Sequence, residues 1–156
     1  MADFASEYDI VINKPIEFIF DNMTCQKGCI NWATGMRSAE KVGDQPRQVG
    51  SQYKHEFAFM GIPATSIATI TLLNRPYEFA TEDRTNKVLQ YESHFTFKET
   101  PEGGTHVHVS HKHYAEGNAV GRLAAPLVIR RYRKQFVADL ETLKEMLEEG
   151  IIIQHP

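Results

Sequence analysis

Apolar side chains recur at steps of three and four residues along the last third of the chain, and this spacing predicts one long amphipathic helix. The repeating positions are Ile129, Tyr132, Phe136, Leu140, Leu143 and Leu147. Charged residues, among them Arg133, Asp139 and Glu148, fall on the other faces. Pro126 is expected to end or kink any helical turn before it, and Gly150 is a natural stop. The apolar stripe of this helix needs a sheet to pack on.

Upstream of this helix the apolar positions mostly alternate with polar ones, which predicts β-strands. The runs cover residues 4–13, 36–42, 51–59, 64–73, 77–83, 88–99 and 105–114. Turn residues separate the later runs, for example Asn74 with Pro76 and Gly103 with Gly104. Links this short join antiparallel neighbours, because a parallel pair needs a crossover of about a dozen residues or more. We therefore expect one antiparallel meander.

Two short helices are expected between the first and second strands. Asn13 is placed to cap the first of them, Pro15 lies in its first turn, and the stripe from Ile16 to Met23 is apolar. A second short helix or turn is expected at residues 29–33. A sheet with a single long helix must curl around it to bury both apolar surfaces. The prediction is an α+β fold in a single domain over residues 1–156, with a curved sheet around the long C-terminal helix.

Composition and charge exclude several classes of function. Apolar residues make up 42% and charged residues 24% of the chain, and the net charge is -3. This balance offers no general field for nucleic acid. No window approaches the roughly 18 uninterrupted apolar residues of a membrane span, so we expect no stable membrane insertion. The first residues lack the pattern of a secretory signal, and a cytoplasmic location is the expectation.

Two local clusters suggest further chemistry at first sight. The basic run from Arg130 to Lys134 spreads around the predicted helix, which favours a solvated face over a phosphate-binding patch. Cys25 and Cys29 could share a helical face, but two sulfurs without nearby histidines make a poor zinc site. We expect two free thiols, no bound metal and no cofactor. The sequence leaves a homodimer open.

Side chains alternate between the two faces of a strand, and this alternation divides the histidines in residues 105–114 into an inward pair and an outward pair. Val107 and Val109 mark its inner face, which His111 and His113 share, so His106 and His108 are expected to point outward into solvent. The same reasoning on the other strands and on the helix gives a set of inward candidates for ligand binding. This set is Trp32, Tyr53, His55, Phe57, Tyr91, Ser93, Phe95, His111, His113, Tyr132 and Phe136. Together they describe an apolar pocket with a few polar groups.

The order and spacing of several residues resemble a known family. They are Ile12, Pro15, Ile19, Phe20, Trp32, Gly50, Pro76, the hairpin Gly103-Gly104-Thr105-x-Val107, and the ending Leu140-x-x-Leu143-Lys144-x-x-Leu147-Glu148. The pattern resembles the polyketide cyclase/dehydrase and lipid-transport family of the START-like (Bet v 1-like, SRPBCC) superfamily. This resemblance implies a helix-grip fold with a seven-stranded sheet and a pocket for lipids, sterols, polyketides or other apolar molecules. It implies no shared catalytic motif.

Three functions remain open for the inward residues. They either complete the core, or orient the carbonyl or hydroxyl of a bound apolar molecule without changing it, or carry out a reaction. For an aldol-type cyclisation or dehydration, His55, His111 or His113 would act as the base and Tyr53 or Tyr91 as the acid. A module that binds a larger protein is a further alternative.

Two other features carry alternatives of their own. Trp32 is either a wall or lid of the pocket or a large core aromatic. The apolar loop from Met60 to Pro63 either covers the pocket mouth, touches a membrane or a carrier, or is an ordinary packed turn.

Overall fold

The computed structural model describes residues 4–86, 89–115 and 119–153. The strands are β1 (Phe4–Ile12), β2 (Met36–Val42), β3 (Gln52–Phe59), β4 (Ile62–Asn74), β5 (Glu78–Asp83), β6 (Leu89–Glu99) and β7 (Thr105–Ala115). The helices are α1 (Ile16–Met23), a short 3-10 helix (Lys27–Asn31) and α2 (Ala119–Glu148). The order of elements matches the sequence prediction, and no strand boundary shifts by more than two residues.

All seven strands belong to one antiparallel sheet in the order β1-β7-β6-β5-β4-β3-β2. Five of the six pairings join strands that follow one another along the chain. The sixth joins β1 to β7, with Phe4 opposite His113 and Ile12 opposite Thr105. The predicted antiparallel meander is therefore confirmed, and the strand at the start of the chain adjoins the strand at its end.

Helix α2 packs its predicted stripe against the sheet. Ile129, Phe136, Leu140, Leu143 and Leu147 are buried, and the helix contacts β1, β7 and α1. At about 1.5 Å per residue, its 30 residues span roughly 45 Å. Among the described residues, no helix combines the length and apolar content that a membrane crossing requires.

Pro126 was expected to end or kink the helix, and the first alternative was wrong, because this proline lies inside α2, which begins at Ala119. Proline removes the hydrogen bond to the carbonyl four residues earlier, which here belongs to Arg122. Both residues are exposed, so water can replace the missing donor. The cost of the proline is therefore tolerable at this position.

Asp139 also departs from its predicted place on a solvated face. It is buried and accepts hydrogen bonds from the backbone N–H of Thr34 at 3.1 Å and the Thr34 hydroxyl at 2.6 Å. The turn before β2 thus covers a side of α2 that helical periodicity assigns to solvent. The carboxylate fastens the middle of the helix to that turn.

The predicted cap of α1 was wrong as well. Pro15 occupies the N-cap position without a side-chain hydrogen bond, and the Asn13 backbone N–H instead donates to the Glu148 carboxylate at 3.0 Å. Three residues separate β1 from α1, and Asn13 is the first of them, so it lies too early to cap the helix. The second short helix covers Lys27–Asn31 rather than residues 29–33.

Candidate functional site

A row of polar side chains crosses the inner face of the sheet near one end. His113 lies opposite Tyr91, and Tyr91 lies opposite Asp83. The Ser66 hydroxyl donates to Asp83 at 2.6 Å, and Ser66 lies opposite His55. We call these five residues the polar row. It links β7, β6, β5, β4 and β3, and it steps two residues towards the β3–β4 hairpin where it passes from Asp83 to Ser66.

The inner face becomes apolar with distance from the polar row. One level away, Ser6, His111, Ser93 and Thr81 follow one another across β1, β7, β6 and β5. A further level away lie Tyr8, Val109, Phe95 and Phe79. Beyond that level the interior is filled by apolar side chains beneath the C-terminal half of α2, such as Phe97 and Leu143. The face therefore offers hydrogen-bonding groups at one end and hydrocarbon at the other.

His111 lies at the centre of an aromatic cluster. Its ring centroid is 4.5 Å from that of Phe136, 5.5 Å from Tyr8 and 5.7 Å from Tyr132. The Tyr132 hydroxyl approaches Nδ1 of His111 at 3.4 Å. Burial, and secondarily His113, lowers the pKa of His111 to about 3. The imidazole is therefore neutral at pH 7.

The other two inward histidines are also neutral. Burial, followed by the charge of Arg133, lowers the pKa of His113 to about 4. Burial lowers the pKa of His55, although the Asp83 carboxylate opposes part of this shift. A neutral imidazole carries one donor and one acceptor nitrogen. Each ring can therefore either donate to or accept from a bound group.

Several buried polar atoms on this side of the sheet have no hydrogen-bond partner among the described residues. They include His55 Nε2, His113 Nδ1 and Trp32 Nε1. An unpaired buried polar group costs about 1–3 kcal/mol. A molecule bearing oxygen atoms could supply the missing partners, which makes the polar-row end of the inner face the candidate site.

Sequence reasoning missed two members of the polar row, Ser66 and Asp83. Asp83 is 1% exposed, and its two oxygens accept five hydrogen bonds. The donors are the Ser66 hydroxyl (2.6 Å), the Ile67 N–H (3.2 Å), the Thr85 N–H (2.7 Å) and hydroxyl (2.6 Å), and the Asn86 N–H (3.2 Å). Although burial raises it, the pKa of Asp83 stays below its ordinary value because of these bonds. The alternation of β5, which puts Asp83 on the face of Phe79, was the signal available in the sequence.

The tyrosines of the site are protonated. Burial is the main cause that raises the pKa of Tyr91 to about 12, and the negative charge of Asp83 adds to it. Burial also raises the pKa of Tyr132 and of Tyr53. At neutral pH these phenols can therefore donate hydrogen bonds.

The structure brings some of the predicted residues together and separates others. His111, His113, Tyr132, Phe136 and Phe95 form one cluster of neighbouring rings. A second group lies across the sheet on β3 and beside it, and its members are Tyr53, His55, Phe57 and Trp32. Tyr53 and His55 are buried, whereas Phe57 and Trp32 are half-buried. The charge of Arg47 acts on Tyr53, so this tyrosine has a different environment from the histidine cluster.

The outward histidines of β7 are partly exposed, as predicted, but each also has a protein partner. His106 Nε2 and His108 Nδ1 lie 2.8 Å and 2.9 Å from the same Asp9 oxygen. These contacts lower the pKa of Asp9. The pair belongs to the outer face of the sheet and takes no part in the candidate site.

Comparisons with known proteins yield similar structures only. No protein-family model matches the chain, and no curated protein does. The Zhui aromatase/cyclase from a Streptomyces species has a TM-score of 0.81 at 11% identity, with 95% of each chain covered. The protein TTHA0849 from Thermus thermophilus has a TM-score of 0.79 at 15% identity, over 94% of this chain and 99% of that one. A START superfamily protein from Mycobacterium smegmatis has a TM-score of 0.69 at 13% identity, covering 94% and 96%. At such identities the likeness shows a shared fold.

Proposed function

We propose that this chain, which has the helix-grip fold of the START-like, Bet v 1-like superfamily, binds an apolar small molecule between the sheet and α2. The ligand would be a lipid, a polyketide or another aromatic compound that carries carbonyl or hydroxyl groups. The observation that carries this proposal is the set of unpartnered ring nitrogens on the inner face, at His55, His113 and Trp32.

The chemistry of the inner face favours a neutral ligand. Both cluster histidines have pKa values far below 7, His111 about 3 and His113 about 4, so neither supplies a positive charge to an anion. The buried Asp83 carboxylate already has five donors. Transfer of a charged ligand to such surroundings without a counter-charge is costly. A hydrocarbon body beside Phe95 and Phe136, with its oxygens at the polar row, would satisfy both ends.

His113→Phe is expected to weaken the binding of 1-naphthol by about two- to tenfold. Loss of one hydrogen bond costs about 0.5–1.5 kcal/mol, and about 1.4 kcal/mol corresponds to a factor of ten. Binding of 1-methylnaphthalene, which has a methyl group in place of the hydroxyl, should not weaken. Titration calorimetry with the two probes measures the difference.

The matched control for this experiment is His106→Phe, an outward position on the same strand. It should change the affinity for neither probe. If the unaltered chain binds neither compound, or if His113→Phe weakens both equally, the proposal of an oxygen-recognising pocket is wrong.

The second candidate function is a cyclase or dehydratase. It is favoured by His113 and Tyr91, direct cross-strand neighbours that place an imidazole beside a phenol on the inner face. In a dehydration, one of the inward histidines would take the proton beside a carbonyl. A phenol would then protonate the departing hydroxyl as the C–O bond breaks, and water would leave.

Replacing His55, His111 and His113 together with alanine is the decisive test of this second candidate function. Dehydration of an aromatic β-hydroxyketone to its conjugated enone, followed by ultraviolet absorbance, should slow by about 100-fold or more. Circular dichroism establishes that the variant is folded. Equal turnover by the folded variant, or none by the unaltered chain, would exclude catalysis by these histidines and leave the binding proposal in place.

A further inference from the structure

Two connections lie at the end of the molecule that carries the polar row. On β3 and β4, His55 lies opposite Ser66, and Phe59 lies opposite Ile62, so the hairpin between these strands extends past that level. On β7, His113 belongs to the polar row, and the strand leads from there to the beginning of α2. The β3–β4 hairpin and the N-terminal half of α2 therefore lie at one end of the molecule, which we call the open end.

The open end exposes large apolar side chains on both of these elements. Leu123 and Leu127, one turn apart on α2, are 82% and 63% exposed, and Met60 and Ile62 of the hairpin are more than half exposed. The hairpin segment 58–64 contains no charged residue. Single exposed leucines are ordinary, but four large apolar side chains on two elements at the same end of the molecule call for a partner.

Positive charge is concentrated beside these apolar side chains. Five cations and no acidic residue occur between positions 117 and 138, in a chain whose net charge is -3. Arg133 is engaged, because it donates to the Ala5 carbonyl at 2.7 Å. Four other cations are exposed and form no ion pair among the described residues, and they are Arg122, Arg130, Arg131 and Lys134.

The stability of the helix does not account for this distribution. A helix is stabilised by acidic side chains in its first turn and basic ones in its last. Helix α2 has no acidic residue in its first turn and no basic residue in its last. Arg122 stands near its start, and Glu145 and Glu148 stand near its end. The order of charges is thus the reverse of the one that the helix itself would favour.

We propose that the open end docks on an anionic lipid surface. Met60, Ile62, Leu123 and Leu127 enter the headgroup region, and the four free cations contact lipid phosphates, as on amphipathic helices that lie in a membrane interface. The acidic C-terminal half of α2 is repelled by the same surface and orients the molecule. The apolar side chains project from two separate elements, an arrangement that suits a deformable surface better than a fixed groove on a protein. This inference goes beyond the proposed ligand binding and does not depend on it.

Cosedimentation with vesicles tests the proposal. The chain should partition at least about tenfold more strongly onto phosphatidylcholine vesicles containing about a quarter phosphatidylglycerol than onto pure phosphatidylcholine. Arg130→Glu with Arg131→Glu should lower binding to the anionic vesicles by about tenfold or more. Leu123→Ser with Leu127→Ser should also lower it, because exposed leucines contribute apolar area to the interface. Added salt should weaken binding.

The matched control is Lys14→Glu with Lys98→Glu, which makes the same change in charge near the β6–β7 turn, at the opposite end of the sheet from the polar row. This control should bind nearly as the unaltered chain does. Equal binding to neutral and anionic vesicles overturns the proposal, as does an equal loss in the control. The proposal is also wrong if the chain does not bind vesicles and instead binds an acidic soluble protein through Arg130 and Arg131.

Discussion

Asp83→Ala is expected to lower the free energy of unfolding by about 3 kcal/mol or more. The carboxylate accepts five hydrogen bonds. Its removal leaves the donors on Ser66, Ile67, Thr85 and Asn86 without this acceptor. Each buried donor left unpaired costs about 1–3 kcal/mol, although water can reach some of those near the end of β5. Urea unfolding followed by circular dichroism measures the loss.

Glu82→Ala is the control, because Glu82 precedes Asp83 on the same strand and forms a half-exposed ion pair with Arg84 at 3.3 Å. A pair of this kind contributes at most about 1 kcal/mol. Similar losses in both variants would refute the role given to Asp83.

The stabilising effect of Asp83 also depends on pH. The pKa of Asp83 is lowered in the folded chain, so its ionised form stabilises the fold above the ordinary carboxyl pKa of about 3.9. That contribution is lost as the pH falls through the lower pKa of the folded state.

Leu143→Ala is expected to cost about 2–5 kcal/mol, because Leu143 is 0% exposed and its removal leaves a cavity beneath α2. Leu127→Ala, on the same helix, should change the free energy of unfolding by no more than about 0.5 kcal/mol, since its side chain is already in water. Thermal unfolding of the two variants compares the halves of α2 directly.

The contrast between these leucines matters for the surface proposed to meet a membrane. If Leu127→Ala destabilised the fold as much as Leu143→Ala does, Leu127 would be a packing residue and could not be available to lipid. A small effect leaves its side chain free to contribute to an interface.

Local periodicity was sufficient for most of the fold. The alternation in residues 105–114 assigned His111 and His113 to the inner face, and the steps along α2 identified Leu140, Leu143 and Leu147 as buried. These patterns are set by strand and helix geometry, which repeats over a few residues and can be read without knowledge of the rest of the chain.

Contacts between distant segments could not be obtained in this way. Asp139 is buried because the turn at Thr34 covers it, 105 residues earlier in the chain. The continuity of α2 through Pro126 depends on solvent around an exposed turn. The hydrogen bonds of Asp83 depend on the bend that brings Thr85 back to it and on the pairing of β4 with β5. None of these features repeats at a regular spacing along the sequence, so periodicity could not predict them.

The sequence predicted the candidate site only as a set of residues that share the inner face of the sheet. Parity placed Tyr53 and His113 on the same side of the sheet, but it could not tell that Arg47 acts on one and the ring of Tyr132 adjoins the other. Which inward groups lack partners also depends on the whole packing arrangement.

The pairing of β1 with β7 has a consequence for the order in which the chain folds. The bond from the Thr105 hydroxyl to the Lys14 carbonyl spans 91 residues, so the first strand has no neighbour on this side until the hairpin of β6 and β7 exists. Contacts of such wide separation form slowly, because a long loop must close before they contribute. On the ribosome, the first strand must wait until the last strand of the sheet has been synthesised, and a chain truncated before β7 would present it as an unpaired edge open to aggregation.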